Sequence, residues 1–149
     1  MFHFRTVIFM GLLASSLGLS VGSMAQSTPT TSVLTTRLSG ASEVPTTASS
    51  GSGSVDAMLN RQTNELNWTI TYSGLSGPAT AAHFHGPAMP GENAGVVVPI
   101  PIGLDHPVKG AATLTAAQAA ELLSGKWYVN VHTAANPHGE IRGQVNVRP

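Results

Sequence analysis

The sequence predicts an all-β fold, an antiparallel β-sandwich or Greek-key barrel of about eight strands carrying one short helix. Two neighbouring runs alternate apolar and polar residues with period two, the mark of half-buried strands. Sixteen Gly and ten Pro fall among 149 residues, and with Ser, Thr and Asn they punctuate the chain at strand-length intervals. Only one segment departs from this rhythm towards a helical pattern.

Taken in order, residues 1–25 read as a secretory signal peptide. Arg5 gives a positive start, Val7 to Val21 carries no charge, and Ser23-Met24-Ala25 places small residues at a cleavage site after Ala25. Ser15, Ser16 and Ser20 interrupt the apolar run, which falls short of the ~20 residues a membrane span needs. The expectation is a secreted or periplasmic protein with no membrane span after cleavage. Residues 26–32 form a polar linker with nothing apolar to bury, expected to be disordered.

Strands are then expected at Val33–Leu38, Ser54–Asn60, Glu65–Tyr72, Thr80–His85, Gly95–Ile100, Val108–Thr113, Lys126–Thr133 and Glu140–Val147. Val55, Ala57 and Leu59 share one face of the second. Leu66, Trp68, Ile70 and Tyr72 share one face of the third, and the polar Arg61–Asn64 turn joins the two as a hairpin. Residues 40–52 are a Ser/Thr/Gly loop. Thr115–Leu123 is Ala-rich and helical, with Thr115 as N-cap and Gly125 just past its C-terminus.

Composition removes several function classes. Cleavage after Ala25 leaves six basic residues (Arg37, Arg61, Lys109, Lys126, Arg142, Arg148) against seven acids. No basic run exists to neutralise phosphates, so nucleic acid is not an expected partner. No Cys is present, which excludes disulfides, thiolate metal sites and Cys nucleophiles. No Gly-x-Ser-x-Gly, phosphate-cradling loop or paired-carboxylate motif stands out, so no catalytic residue is assigned.

Histidine carries the remaining chemistry. Without Cys, a transition-metal site must be built from His and carboxylates. In Ala82-His83-Phe84-His85-Gly86 the two His point to one face of a strand, about 6.5–7 Å apart, with Phe84 on the other. In Trp127–Thr133, the residues Tyr128, Asn130 and His132 share the face opposite the more apolar Trp127, Val129, Val131 and Thr133. That places His132 away from the main core, at a sheet rim. His106 and His138 read as turn residues. Glu140 and Arg142 share a strand face and are expected to pair with each other and pin the last strand.

Four blocks carry a family resemblance: Leu38–Pro45, Ala81–Ala88, Leu123–Thr133 and Asn136–Gln144. In this order they resemble the CHRD domain, named for chordin and widespread in secreted bacterial proteins. The resemblance covers essentially all of the chain after the leader, with residues 33–149 as the domain, and implies an immunoglobulin-like sandwich. It maps the family's motif histidines onto His83, His85 and His132. Asn130, Glu140 and Arg142 are expected in structural or supporting roles. The implied function is an exported, non-catalytic extracytoplasmic binding or envelope protein that takes copper or zinc through its histidines and meets a protein or polysaccharide partner. Two alternatives stand beside it. One is a copper-dependent redox enzyme with a site similar to that of superoxide dismutases, in which Arg142 steers an anion. The chain departs from those enzymes in lacking their Cys pair and a full zinc set. The other is an interaction domain whose histidines are purely structural.

Overall fold

The computed structural model describes residues 30–103 and 106–149, so the leader expected at 1–25 lies outside the described residues. Among the described residues nine strands and one α-helix follow one another: β1 (Thr31–Ser39), β2 (Ser52–Asn60), β3 (Glu65–Ser73), β4 (Ala79–His85), β5 (Val96–Ile100), β6 (Val108–Thr113), α1 (Ala116–Leu123), β7 (Tyr128–Thr133), β8 (Ile141–Gln144) and β9 (Asn146–Val147). A 3₁₀ turn, Gly40–Ser42, follows β1. The first strand begins at Thr31, two residues before the apolar run suggests. Thr31 and Ser32 pair with Asn60 and Leu59, and the Ser32 hydroxyl accepts from Arg61 Nε at 2.6 Å. Backbone pairing extends a strand through polar residues that hydropathy alone assigns to a linker.

The all-β, antiparallel character with one short helix is as expected, but the strands form one continuous sheet rather than two separate ones. Its order is β5-β4-β7-β8-β1-β2-β3-β6, with β9 also on β1. β1 makes the continuity: it pairs along its whole length with β2 and also takes β8 at Ser39↔Arg142 and β9 at Leu34↔Val147. The expected last strand is broken at Val145, which is fully buried and donates its N–H to the Trp127 carbonyl.

The ribbon curls so that its two halves face each other in a barrel-like shape. Trp68 on β3 meets Phe84 on β4 edge to face at 5.2 Å, and Phe84 also meets Trp127. The period-two faces go where the alternation placed them: Val55, Ala57, Leu59, Leu66, Trp68 and Ile70 are all buried in this core. Each fully buried Leu, Ile or Phe contributes about 1.5–3 kcal/mol. α1 closes one end by burying Ala119 and Leu122. Its start is the expected cap. The Thr115 hydroxyl accepts from Gln118 N–H, and the Gln118 side chain accepts from Thr115 N–H.

Candidate metal centre

β4 and β7 are neighbours in register, with His83 opposite Asn130, His85 opposite Tyr128 and Ala81 opposite His132. Directly opposed residues share a sheet face, so His83, His85, Tyr128, Asn130 and His132 gather on the side away from Phe84. The three imidazoles each offer one ring nitrogen, and these atoms lie within 4.8 Å of one another. They could hold a metal ion. His85 and His132 are buried and His83 is half-buried.

The burial of His132 corrects the rim position expected from strand period. Every residue of β7 is buried, because loops cover its second face. His132 Nδ1 lies 3.0 Å from the Pro137 carbonyl, and His85 Nδ1 lies 3.0 Å from the Ala94 carbonyl. A carbonyl only accepts, so each Nδ1 carries the proton and each Nε2 is left with its lone pair. Both Nε2 atoms point inward. His132 Nε2 is 3.1 Å from His83 Nδ1, and each Nε2 is within 3.0 Å of Asn130 Oδ1. Burial pushes His83 and His132 below the usual histidine range, and the neighbouring imidazoles push the same way; for His132 the Pro137 hydrogen bond opposes them. Neutral imidazole is the form that binds metals.

Around the histidines a second set of groups gathers from β7 and from the loops. The Tyr128 ring stacks on His85, and its hydroxyl accepts from Ala94 N–H at 3.2 Å. Glu43, from the turn after β1, is buried beside Asn130 and Gly139, and its Oε1 has no hydrogen-bond partner. Burial raises its carboxyl to about 7, against the lowering pull of Arg142 and of the Val44 N–H. A cavity of about 530 Å³ reaches this cluster between Glu43, Pro45, His85, Tyr128, Asn130 and His138.

Glu140 and Arg142 do not pair with each other, contrary to expectation. Glu140 is fully buried and is caged by hydroxyls: Ser49 donates to Oε1 at 2.6 Å, and Ser76 and Thr133 donate to Oε2 at 2.5 Å. Asn136 Nδ2 and Ser76 N–H add two more bonds. Burial alone would raise this carboxyl, but the donors outweigh it and hold it at about 2. Arg142, also buried, donates to Asn93 Oδ1 at 2.9 Å and to the Glu92 carbonyl at 2.6 Å. Its guanidinium lies 3.4 Å over the Tyr128 ring centre. These contacts leave the guanidinium buried and engaged, where an anion-steering role would need it exposed. Glu140 and Arg142 stand one residue apart on either side of Ile141, yet each has its own enclosure of loops.

His106 lies outside the cluster, exposed, with its Nε2 accepting from Tyr72 N–H. The His138 side chain is exposed, and its carbonyl accepts from Asn130 Nδ2 at 3.5 Å. Sequence reasoning had given no role to Glu43 or Tyr128. Tyr128 was legible as sharing a face with His132. Glu43 had no period to reveal it, because it sits in a turn.

The family model for the CHRD domain matches residues 34–145. No curated protein matches the chain, and no solved structure does.

Proposed function

The chain belongs to the CHRD domain family, and on that premise we propose that it is an exported, non-catalytic binding protein that holds copper or zinc through His83, His85 and His132. One observation carries the metal reading. The Ala94 and Pro137 carbonyls lock both Nδ1 protons outward, so two Nε2 lone pairs converge on the space that His83 Nδ1 also faces. His85 Nε2 and His132 Nε2 both turn lone pairs to Asn130 Oδ1 with no proton between them, and a cation there removes the repulsion. Three neutral imidazoles suit either ion, with copper(II) the tighter at a given nitrogen set.

The contacts fit the donor chemistry. Ligating histidines commonly donate their second ring N–H to a carbonyl or carboxylate, which fixes the tautomer and orients the ring. His85 and His132 both do this. Export rests on the leader-like residues 1–25, and the partner proposed for an exported chain is a protein or a polysaccharide.

Elemental analysis of protein purified from a periplasmic host, followed by Cu²⁺ and Zn²⁺ titration, tests the reading. The expected result is one ion per chain, lost when His83, His85 and His132 are all replaced by Ala. Equal metal content in the triple variant would sink it. The histidines would then be struts that fasten the 94 and 137 loops to the sheet.

A further inference from the structure

We infer that Asn130 is the fourth ligand of this centre, through its side-chain oxygen, and that Glu43 is the positioning residue that keeps that oxygen turned inward. The inference rests on the metal reading above and adds to it a ligand, a closed coordination shell and the group that orients it.

The geometry runs atom to atom. His83 Nδ1, His132 Nε2, Asn130 Oδ1 and His85 Nε2 form a chain with successive separations of 3.1, 2.9 and 3.0 Å. Donors of a tetrahedral ion held at ~2.0–2.1 Å lie about 3.3 Å apart. Three edges of such a tetrahedron are therefore present to within a few tenths of an ångström. The protons do not account for these contacts. With Nδ1–H of His85 and His132 given to backbone carbonyls, the only ring proton that can point inward is on His83 Nδ1. It serves the His132 contact. Asn130 Oδ1 still faces two imidazole lone pairs, which it cannot accept from.

Turning the amide over would cure this by presenting Nδ2 to both rings. The far side of Asn130 prevents it. There Nδ2 donates to the His138 carbonyl at 3.5 Å. Glu43 Oε1 lies on the same side: a Cβ built on Gly139 would strike both Glu43 Oε1 and Asn130 Nδ2. The His138 carbonyl can only accept, so an inverted amide would set its own oxygen against that carbonyl oxygen, beside the Glu43 carboxyl. Glu43 Oε1 has no hydrogen-bond partner in this buried position, and it lies beside the Asn130 amide nitrogen across Gly139. An acceptor behind and lone pairs in front select one orientation only if a cation sits in front.

Four protein donors make a closed shell, the arrangement of holding sites rather than of catalytic ones, which keep a position open. Such a shell separates the centre from a redox site with exchangeable water.

The test uses the full mature chain with Zn²⁺ for affinity and Co²⁺ as a spectroscopic stand-in. Asn130→Ala is expected to weaken Zn²⁺ at least about 100-fold, the upper end of what losing an outer partner costs, and to shift the visible Co²⁺ bands. Asn130→Asp, which keeps an oxygen at the same place, is expected to restore both. Glu43→Gln is expected to weaken Zn²⁺ about 10-fold with the Co²⁺ bands unmoved. Wild-type affinity and spectrum in Asn130→Ala, while the three-His variant binds nothing, would overturn the fourth ligand and leave the metal reading intact. Weak binding by Asn130→Ala with unmoved bands, or equal weakening by Asn130→Asp, would make Asn130 structural and overturn it as well. A wild-type protein that binds neither ion would remove both readings.

Discussion

The His85 imidazole lies parallel to the Tyr128 ring, with 4.7 Å between centroids and 1° between planes. Because β7 runs between β4 and β8 in the sheet, Arg142 on β8 reaches the same ring from the other side. The stack continues a candidate ligand into a buried cation, so the ring orientation of His85 and the anchoring of Arg142 belong to one packed unit.

Removing the cation should therefore be costly. Arg142→Met strands Asn93 Oδ1 and the Glu92 carbonyl and uncovers Tyr128. A loss of about 3–5 kcal/mol is expected, the range for breaking a buried charged network. Arg142→Lys should recover little of it, because an ammonium lacks the flat fork that serves two acceptors and a ring together. Urea unfolding of both variants measures this, and a Lys variant as stable as wild type would refute the stacked role.

Glu140 makes stability depend on acid. Its ordinary value is 4.5 and the fold lowers it to about 2. A depressed carboxyl stabilises fully above its unfolded value, and that contribution is lost as pH falls from about 5 towards 2. At ~1.4 kcal/mol per pH unit this amounts to about 3 kcal/mol. Unfolding free energies at pH 6 and near pH 2.5 should differ by about this much more in wild type than in Glu140→Gln. Parallel pH slopes for the two proteins would contradict the caged carboxylate.

Gly139 and Gly95 offer a matched comparison. Gly139 has φ +128, and an added Cβ there meets Glu43 and Asn130, whereas one at Gly95 meets nothing within 4 Å. Gly139→Ala should cost about 2 kcal/mol or more and should also weaken metal uptake. Gly95→Ala should stay within about 0.5 kcal/mol of wild type. Thermal melts together with metal titration distinguish the two effects.

The two tryptophans should respond differently to Phe. Trp68 Nε1 is buried without a partner, while Trp127 Nε1 donates to Glu121 Oε2 at 3.3 Å. Trp68→Phe removes an unsatisfied group along with the packing, so a net cost within about 1 kcal/mol is expected. Trp127→Phe loses both packing and a bond that ties α1 to β7, and about 2–3 kcal/mol is expected. Equal costs in denaturant titrations would show that the Trp68 indole N–H is satisfied in solution.

Elements with a strong period were legible from sequence. The β2–β3 hairpin was predicted to within two residues at each end, and its apolar faces are buried as the alternation requires except at Tyr72, which is half-buried. Thr115 and the helix it caps were equally readable, because a capping box is local chemistry. The pairing of His83 with His85 on one face followed from strand geometry alone. What could not be read is supplied by loops. Asn130 and His132 read as turned away from the main core because period two reports which side of a strand a residue takes, and says nothing of what covers that side. The Ala94 and Pro137 carbonyls that fix the ring protons belong to the backbone and leave no mark on residue type. Glu140 and Arg142 looked like natural partners at a spacing of two. Their separate enclosures come from Ser49, Ser76 and Asn93, which are distant in sequence and ordinary in composition.

The double pairing of β1 also governs when the chain can fold. This first strand needs β8 and β9 as well as β2, and the nearby Thr47 hydroxyl waits for the Glu140 carbonyl 93 positions later. Such distant closures make folding slow, because loop entropy is lost before the contacts that compensate it form. Until the final strands arrive, no leading fragment has a finished sheet to collapse into.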